Sequence, residues 1–297
     1  MFSFRNFLYV LRWKSFYFSA TLLIGMSMLY STAEMRFSDT AYKFKLRNNA
    51  FRYEAKIQYH ETKERTLRYL EIGKKNLPLI VFIHGAPSSS RFWKNLLRDS
   101  SLLSNAKLMA VDRPGYGYSG YGKPEISVKK QAALIAEVIK KKRDQHQRIV
   151  VHGSSYGGTV AARLAMDYPE LVDGLLLQSA SMKPHAERTY SISYPTHHPG
   201  LRWAMPGSIR TANAEKLSHH TALEKMRDGW KQITARTIIL HGDSDQLIYP
   251  ENAYFAFREL KNAPYKDIRM FSGRKHDLLW TKTEVLKSSL LKLLHLP

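Results

Sequence analysis

Ser155 stands between Gly153 and Gly157, where an apolar run over residues 148–152 gives way to a helical pattern from about 157. A Gly-x-Ser-x-Gly turn between strand and helix is a setting for a nucleophilic serine. The glycines answer a steric need, because a Cβ at either position would strike the neighbouring strand or helix. The turn lifts the hydroxyl clear of the strand, near a helix N-terminus whose dipole favours developing negative charge. Ser154 beside it reads as a packing or turn residue. A serine hydroxyl is a weak nucleophile and needs a base held by an acid. For a serine in this turn the acid follows at the end of a later strand, and the histidine comes last. Asp245, in HGDSDQLIYP (241–250), is the expected acid, and His276, in FSGRKHDLLW (271–280), the expected base.

The oxyanion of an acyl-transfer step needs two N–H donors. The Tyr156 amide follows the nucleophile. The second is expected from Ala86, in the loop after the apolar run LPLIVFIHG (77–85). Asp243 is the alternative acid, although its place at a strand end suits a turn former. Asp277 is expected to cap the terminal helix. His84, His152 and His241 each end an apolar run directly before glycine and are read as packing residues. No histidine pair at helical spacing or carboxylate pair points to a metal, and no cofactor is expected. Arg91, Phe92 and Trp93 either line the entrance or pack the next helix. His197 and His198 are read as exposed loop residues.

Short β-rich runs alternate with longer helical patterns. Apolar runs at 77–85, 107–115, 148–152, 173–180 and 236–245 read as strands covered on both faces. Residues 66–73 alternate and read as an exposed strand, and 266–273 as the last strand. Helices are expected over 127–144, from about 157, over 251–260 and, amphipathic, over 277–296. The implied fold is α/β, with a mainly parallel, doubly wound sheet. Residues 181–232 interrupt the alternation with four prolines, two tryptophans and five histidines. They are expected to form a short cap, mostly helical or irregular.

With these pieces in place, the chain resembles the α/β-hydrolase superfamily. The resemblance rests on HGAPSSSRFW (84–93), DRPGYGYS (112–119), HGSSYGG (152–158), HGDSDQLIYP (241–250) and the late His276, and it covers residues 53–297. It implies that Asp112 to Ser119 shape the site without doing chemistry. Dehalogenase and epoxide-hydrolase members carry Asp at the nucleophile position, so Ser155 argues against both. Iminopeptidase-like members carry a longer HGGPG loop where this chain has His-Gly-Ala-Pro.

Residues 15–33 hold no charge over nineteen positions, with Arg5, Arg12 and Lys14 before them and Glu34 after. That length suits one transmembrane helix. The basic flank predicts a cytoplasmic N-terminus and a catalytic domain on the far side, periplasmic or extracellular. A cleaved signal ending at Ser31-Thr32-Ala33, giving a secreted protein, and a buried soluble helix are the alternatives. The expected organisation is residues 1–36 as N-terminus and anchor, 37–52 as a polar tether, and 53–297 as the catalytic domain. The net charge is +21, from 46 basic and 25 acidic residues, which predicts attraction to anionic lipid. Nucleic acid is not expected as a partner, since no zinc-finger spacing or RNA-binding aromatic pattern accompanies the charge. There is no cysteine, which excludes disulfides and cysteine catalysis.

The expected function is a membrane-anchored serine hydrolase, esterase- or lipase-like, acting on a small-molecule ester or acyl substrate. A thioester, lactone, amide or carbon–carbon bond, or cofactor-free perhydrolysis, would use the same residues. A non-catalytic protein that binds an anionic membrane surface is the reading from a different class.

Overall fold

The computed structural model describes residues 38–203 and 205–296. Eight strands form one sheet: β1 Lys56–Glu61, β2 Thr66–Ile72, β3 Leu79–Ile83, β4 Lys107–Val111, β5 Ile149–Ser154, β6 Gly174–Gln178, β7 Arg236–Gly242 and β8 Lys266–Phe271. Their order is β1-β2-β4-β3-β5-β6-β7-β8. β2 runs antiparallel to β1 and β4, and the pairings from β4 through β8 are parallel. The fully apolar runs supply the central strands, as burial on both faces requires.

The helices are α1 Asp39–Leu46, α2 Ser100–Asn105, α3 Val128–Lys140, α4 Tyr156–Asp167, α5 Pro199–Arg202, α6 Gly207–Glu224, α7 Glu251–Glu259, α8 Leu278–Thr281 and α9 Thr283–His295. Alternation along β3 divides the core. Leu79, Val81 and Ile83 pack with α3, α4 and α7, while Ile80 and Phe82 pack with α1, α2 and α9. The terminal helix expected over 277–296 is interrupted at Lys282, whose backbone leaves the helical region (φ −132°, ψ 32°). α5, α6 and three short 3-10 turns make the 181–232 insertion largely helical.

Two expectations about the N-terminal part of the domain differ from the structure. β2, read as an exposed strand, is buried along almost its whole length. Its polar residues are covered because they are paired. Arg68 bonds Asp112 (2.8 Å) and Asp39 (3.0 Å), and Glu71 meets Lys142 (2.8 Å) and Lys107 (3.3 Å). The stretch expected as a tether holds α1 and belongs to the domain: Tyr42 and Leu46 are buried in the core. Tyr42 donates to the Ser90 carbonyl (3.0 Å), and buried Asn49 bonds the carbonyls of Leu46 and Tyr53. Among the described residues no helix is long and apolar enough to cross a membrane. The run at 15–33 lies outside them.

Leu46 has no exposed surface. Leu46→Ala is therefore expected to lower the unfolding free energy by about 2–5 kcal/mol, read from urea denaturation. An unchanged midpoint would return residues 37–52 to the status of a tether.

Candidate active site

Parallel strands bring their C-terminal ends to one edge of the sheet. Ser154 pairs with Gln178, Gln178 with Leu240, and Gly242 with Phe271, so the loops after β5, β6, β7 and β8 emerge side by side. Ser155 follows β5 directly, with φ 54° and ψ −126°, a conformation that costs a non-glycine residue ~1–3 kcal/mol. Its amide donates to the Gln178 carbonyl (3.0 Å), and its carbonyl accepts from Gly158 (2.9 Å). The glycine requirement is visible in the backbone. A Cβ on Gly157 would lie 2.3 Å from the Ile83 carbonyl oxygen, and one on Gly153 would lie 2.5 Å from that of Gly157. Ser155 occupies the N-cap position of α4, yet its side chain caps nothing.

Asp245 and His276 are brought together. His276 Nδ1 lies 2.7 Å from Asp245 Oδ2. The other carboxylate oxygen accepts from the amides of Leu247 (2.9 Å) and Ile248 (3.0 Å). Burial raises the Asp245 pKa, but the His276 hydrogen bond and charge and those two amides outweigh it, and the carboxyl stays below its ordinary value. The His276 side chain keeps about a quarter of its surface open, whereas Asp245 is buried. With Nδ1 held by the carboxylate, Nε2 is the ring nitrogen left to accept a proton. Among the described residues Ser155 Oγ makes no hydrogen bond to this ring; such contacts often tighten only with substrate bound. Asp243, the alternative acid, instead accepts from the Gly273 amide (2.8 Å) and Ser244 hydroxyl (2.9 Å), a turn-forming role. Asp277 precedes α8 but makes no side-chain cap, in contrast to expectation.

The loop after β3 lies against the serine. A Cβ on Gly85 would sit 2.9 Å from Ser155 Cβ and 3.5 Å from its Oγ. Ala86 comes next, and its N–H makes no hydrogen bond among the described residues. Tyr156 opens α4, so its N–H is one of the four that a helix leaves without an intrahelical partner. The residues that follow Ala86 line a groove of about 320 Å³, with Ser88, Arg91, Phe92, Lys94 and Trp280 among its walls. Phe92 meets Trp280 edge-on, while Trp93 is fully buried against Phe82 and His152.

One cation ties these parts to the cap. Arg113 has no exposed surface. Its guanidinium donates to the carbonyls of His84 (2.7 Å) and Gly85 (3.1 Å), to Gln131 (2.8 Å) and, through two nitrogens, to Glu215 on α6 (2.6 and 3.1 Å). It also lies 4.7 Å from the ring centres of Tyr116 and Tyr156. Burial opposes its charge; Glu215 more than compensates and holds the Arg113 pKa above its ordinary value. Glu215 also accepts from Tyr116 (2.6 Å) and Gln131 (2.9 Å). One turn further, His219 stacks on Tyr156 (4.6 Å) and contacts the Ser181 hydroxyl (3.0 Å). Glu215 and His219 were not singled out from the sequence, although buried Ser208, Thr211, Glu215 and His219 recur at spacings of three and four along α6.

The strand-end histidines have packing partners. His84 Nδ1 donates to the Gly85 carbonyl (2.7 Å) while Nε2 accepts from the Arg113 amide (3.0 Å). His152 bonds Gln178 (3.1 Å), and His241 the Ile248 carbonyl (2.9 Å). His198 accepts from the Gly200 amide (3.2 Å) at the surface. Asp112 accepts from Arg68 and from the amides of Ser90 and Tyr118, holding its loop closed.

Two measurements follow. Glu215→Ala leaves a buried guanidinium without its counter-charge and is expected to cost about 3–5 kcal/mol, read from denaturant unfolding. A loss below ~1 kcal/mol would mean that water solvates Arg113. Second, burial lowers the pKa of His84, His152, His219 and His241, that of His152 to about 3. Below about pH 6.5 the unfolded chain therefore binds more protons than the folded one, and stability falls with pH. Each such ring contributes up to ~1.4 kcal/mol per pH unit. Urea midpoints should drop between pH 7 and pH 5; equal midpoints would refute neutral burial.

Residues 80–285, more than half the chain, match the model of the "Alpha/beta hydrolase family". Epoxide hydrolase 1 of Caenorhabditis elegans is 31% identical over 121 residues, 40% of this chain and 29% of that protein, so the match spans under a third of this relative. Proline iminopeptidase PfmaB of Pestalotiopsis fici is 23% identical over 251 residues, 70% of this chain and 89% of that protein. Among solved structures, a putative lipase (lip1) from Acinetobacter baumannii AYE superposes with a TM-score of 0.64 at 21% identity, covering 87% of this chain and 97% of the lipase. These likenesses involve different bonds, and the structural one speaks for the fold alone. What they share with the longer family match is the superfamily, and on that match this chain belongs to the alpha/beta hydrolase family.

Proposed function

We propose that this chain is a membrane-anchored serine esterase that cleaves carboxylic esters through an acyl-enzyme. The observation that carries the reading is the 2.7 Å pair of Asp245 and His276, set at the same sheet edge as a serine in a strained turn. Ser155 Oγ attacks the ester carbonyl while His276 Nε2 takes its proton. The Ala86 and Tyr156 amides receive the oxyanion. The tetrahedral intermediate collapses, the carbon–oxygen bond breaks, and the alcohol leaves with the proton from His276. Water, deprotonated by the same ring, then releases the acid and restores Ser155. Asp245 keeps Nδ1 protonated and steadies the imidazolium.

Ser155, where epoxide hydrolases of the resembled family carry Asp, supports acyl transfer over epoxide opening. An aminopeptidase needs a carboxylate for the substrate's ammonium, and two acidic residues of the cap are already taken: Glu215 by Arg113, and Glu187 by Lys216 (2.7 Å). That supports an ester over an N-terminal amide. The uncharged run at 15–33 with basic residues before it supports an anchor that leaves the domain on the non-cytoplasmic side.

One labelling experiment tests both parts. A fluorophosphonate probe should label a full-length band in washed membranes, and Ser155→Ala should abolish the label and lower ester turnover by about 10⁴-fold or more. Turnover that survives in Ser155→Ala would sink the nucleophile assignment. A labelled species shortened by about thirty residues, found outside the membrane, would replace the anchor with a cleaved signal. A panel of thioesters, lactones and amides would reveal a preference for another bond.

A further inference from the structure

The cap carries an apolar rim that nothing among the described residues covers. Tyr190, Ile192, Tyr194 and Leu201 are exposed by half or more, and Trp203 by 76%. The rim springs from the catalytic edge. Glu187 bridges Ile248, the Arg188 amide donates to the Leu247 carbonyl (2.8 Å), and the amides of Leu247 and Ile248 hold Asp245. Leu247, itself exposed, extends the rim toward the acid–base pair. The Trp203 indole N–H is already bonded to the Gly200 carbonyl (3.0 Å), so its ring offers an apolar face.

Charge identifies the occupant. Between Glu187 and Glu215 the chain has no acidic residue, but it has Arg188, Arg202 and Arg210. Arg188 lies over the Tyr190 ring (5.1 Å). A second copy docking through this patch about a two-fold axis would bring the same arginines face to face. An anionic bilayer answers both features: aromatic rings settle at the headgroup level, and each nearby arginine gains about 1 kcal/mol from the surface potential.

We infer that residues 188–203, with Leu247, form a surface that seats on an anionic lipid bilayer and turns the edge bearing Ser155, Asp245 and His276 toward it. This goes beyond the esterase reading and does not depend on which bond is cleaved.

The chain has no cysteine, so Tyr194→Cys provides a single site for a polarity-sensitive dye. Lys74→Cys, in the exposed turn before β3 at the opposite end of the sheet, is the control. With the full-length chain in phosphatidylglycerol vesicles, the dye at 194 should shift to the blue and the dye at 74 should not. The shift should shrink in pure phosphatidylcholine, in high salt, and in the Arg188→Gln/Arg202→Gln background. Equal emission at 194 and 74 would overturn the surface, and an equal shift in both lipids would overturn its anionic character. A shift that follows protein concentration without lipid would replace the bilayer with a second copy. Loss of esterase activity in Ser155→Ala leaves these readouts unchanged, so the two proposals fail separately.

Discussion

A guanidinium without exposed surface must be neutralised and fully bonded, or the fold around it fails. Arg113 meets that demand with partners from four places: the loop after β3, Gln131 on α3, Glu215 on α6, and the aromatic rings of Tyr116 and Tyr156. Two of those places bear the proposed oxyanion donors. The carbonyls of His84 and Gly85 immediately precede Ala86, and Tyr156 is the other donor. The cap helix supplies the counter-charge. Moving α6 would strip Arg113 of Glu215 and free the carbonyls that position Ala86, so cap and oxyanion loop form one electrostatic unit. Ion pairs of this kind do little for net stability against an apolar replacement. Their consequence here is geometric.

The same unit marks where the sequence was legible and where it was not. The parallel strands could be read because burial on both faces demands unbroken apolar runs, as in 77–85 and 236–242. The turn at Ser155 could be read because no other residue fits at 157, against the Ile83 carbonyl. Asp245 and His276 were reachable from chain order, and the structure joins them. Glu215 was hidden because α6 buries a polar stripe. Ser208, Thr211, Glu215 and His219 face inward, and hydrophobic periodicity does not register a buried face made of hydroxyls and charges.

The N-terminal stretch was misread for a related reason. Residues 38–52 look like a polar linker, yet two apolar residues, Tyr42 and Leu46, are one turn apart and share a face. The rest of the docking is polar: Asp39 reaches Arg68, which reaches Asp112, whose other oxygen accepts from the Ser90 amide. β2 conceals its burial in the same way: Arg68 and Glu71 point to opposite faces of the strand, and each is covered because it is paired with distant charges. In both segments the covered charges are satisfied by residues distant in sequence, and a local pattern contains no record of those partners.

The backbone of Ser155 links strain to chemistry. A serine at a helix N-cap ordinarily lies in the β region and turns its oxygen back to an amide of the first turn. At φ 54° Ser155 cannot do so, and its side chain makes no capping bond. The distortion leaves the hydroxyl for another partner, beside the Tyr156 amide that the start of α4 leaves without an intrahelical acceptor. Close backbone contacts at Gly153, Gly157 and Gly158 hold the conformation that a lone turn would relax. The strain is therefore carried by the packing of α4 against β5, the end of β3 and Ala180, so any change that loosens those contacts withdraws the proposed nucleophile and its proposed oxyanion donor together.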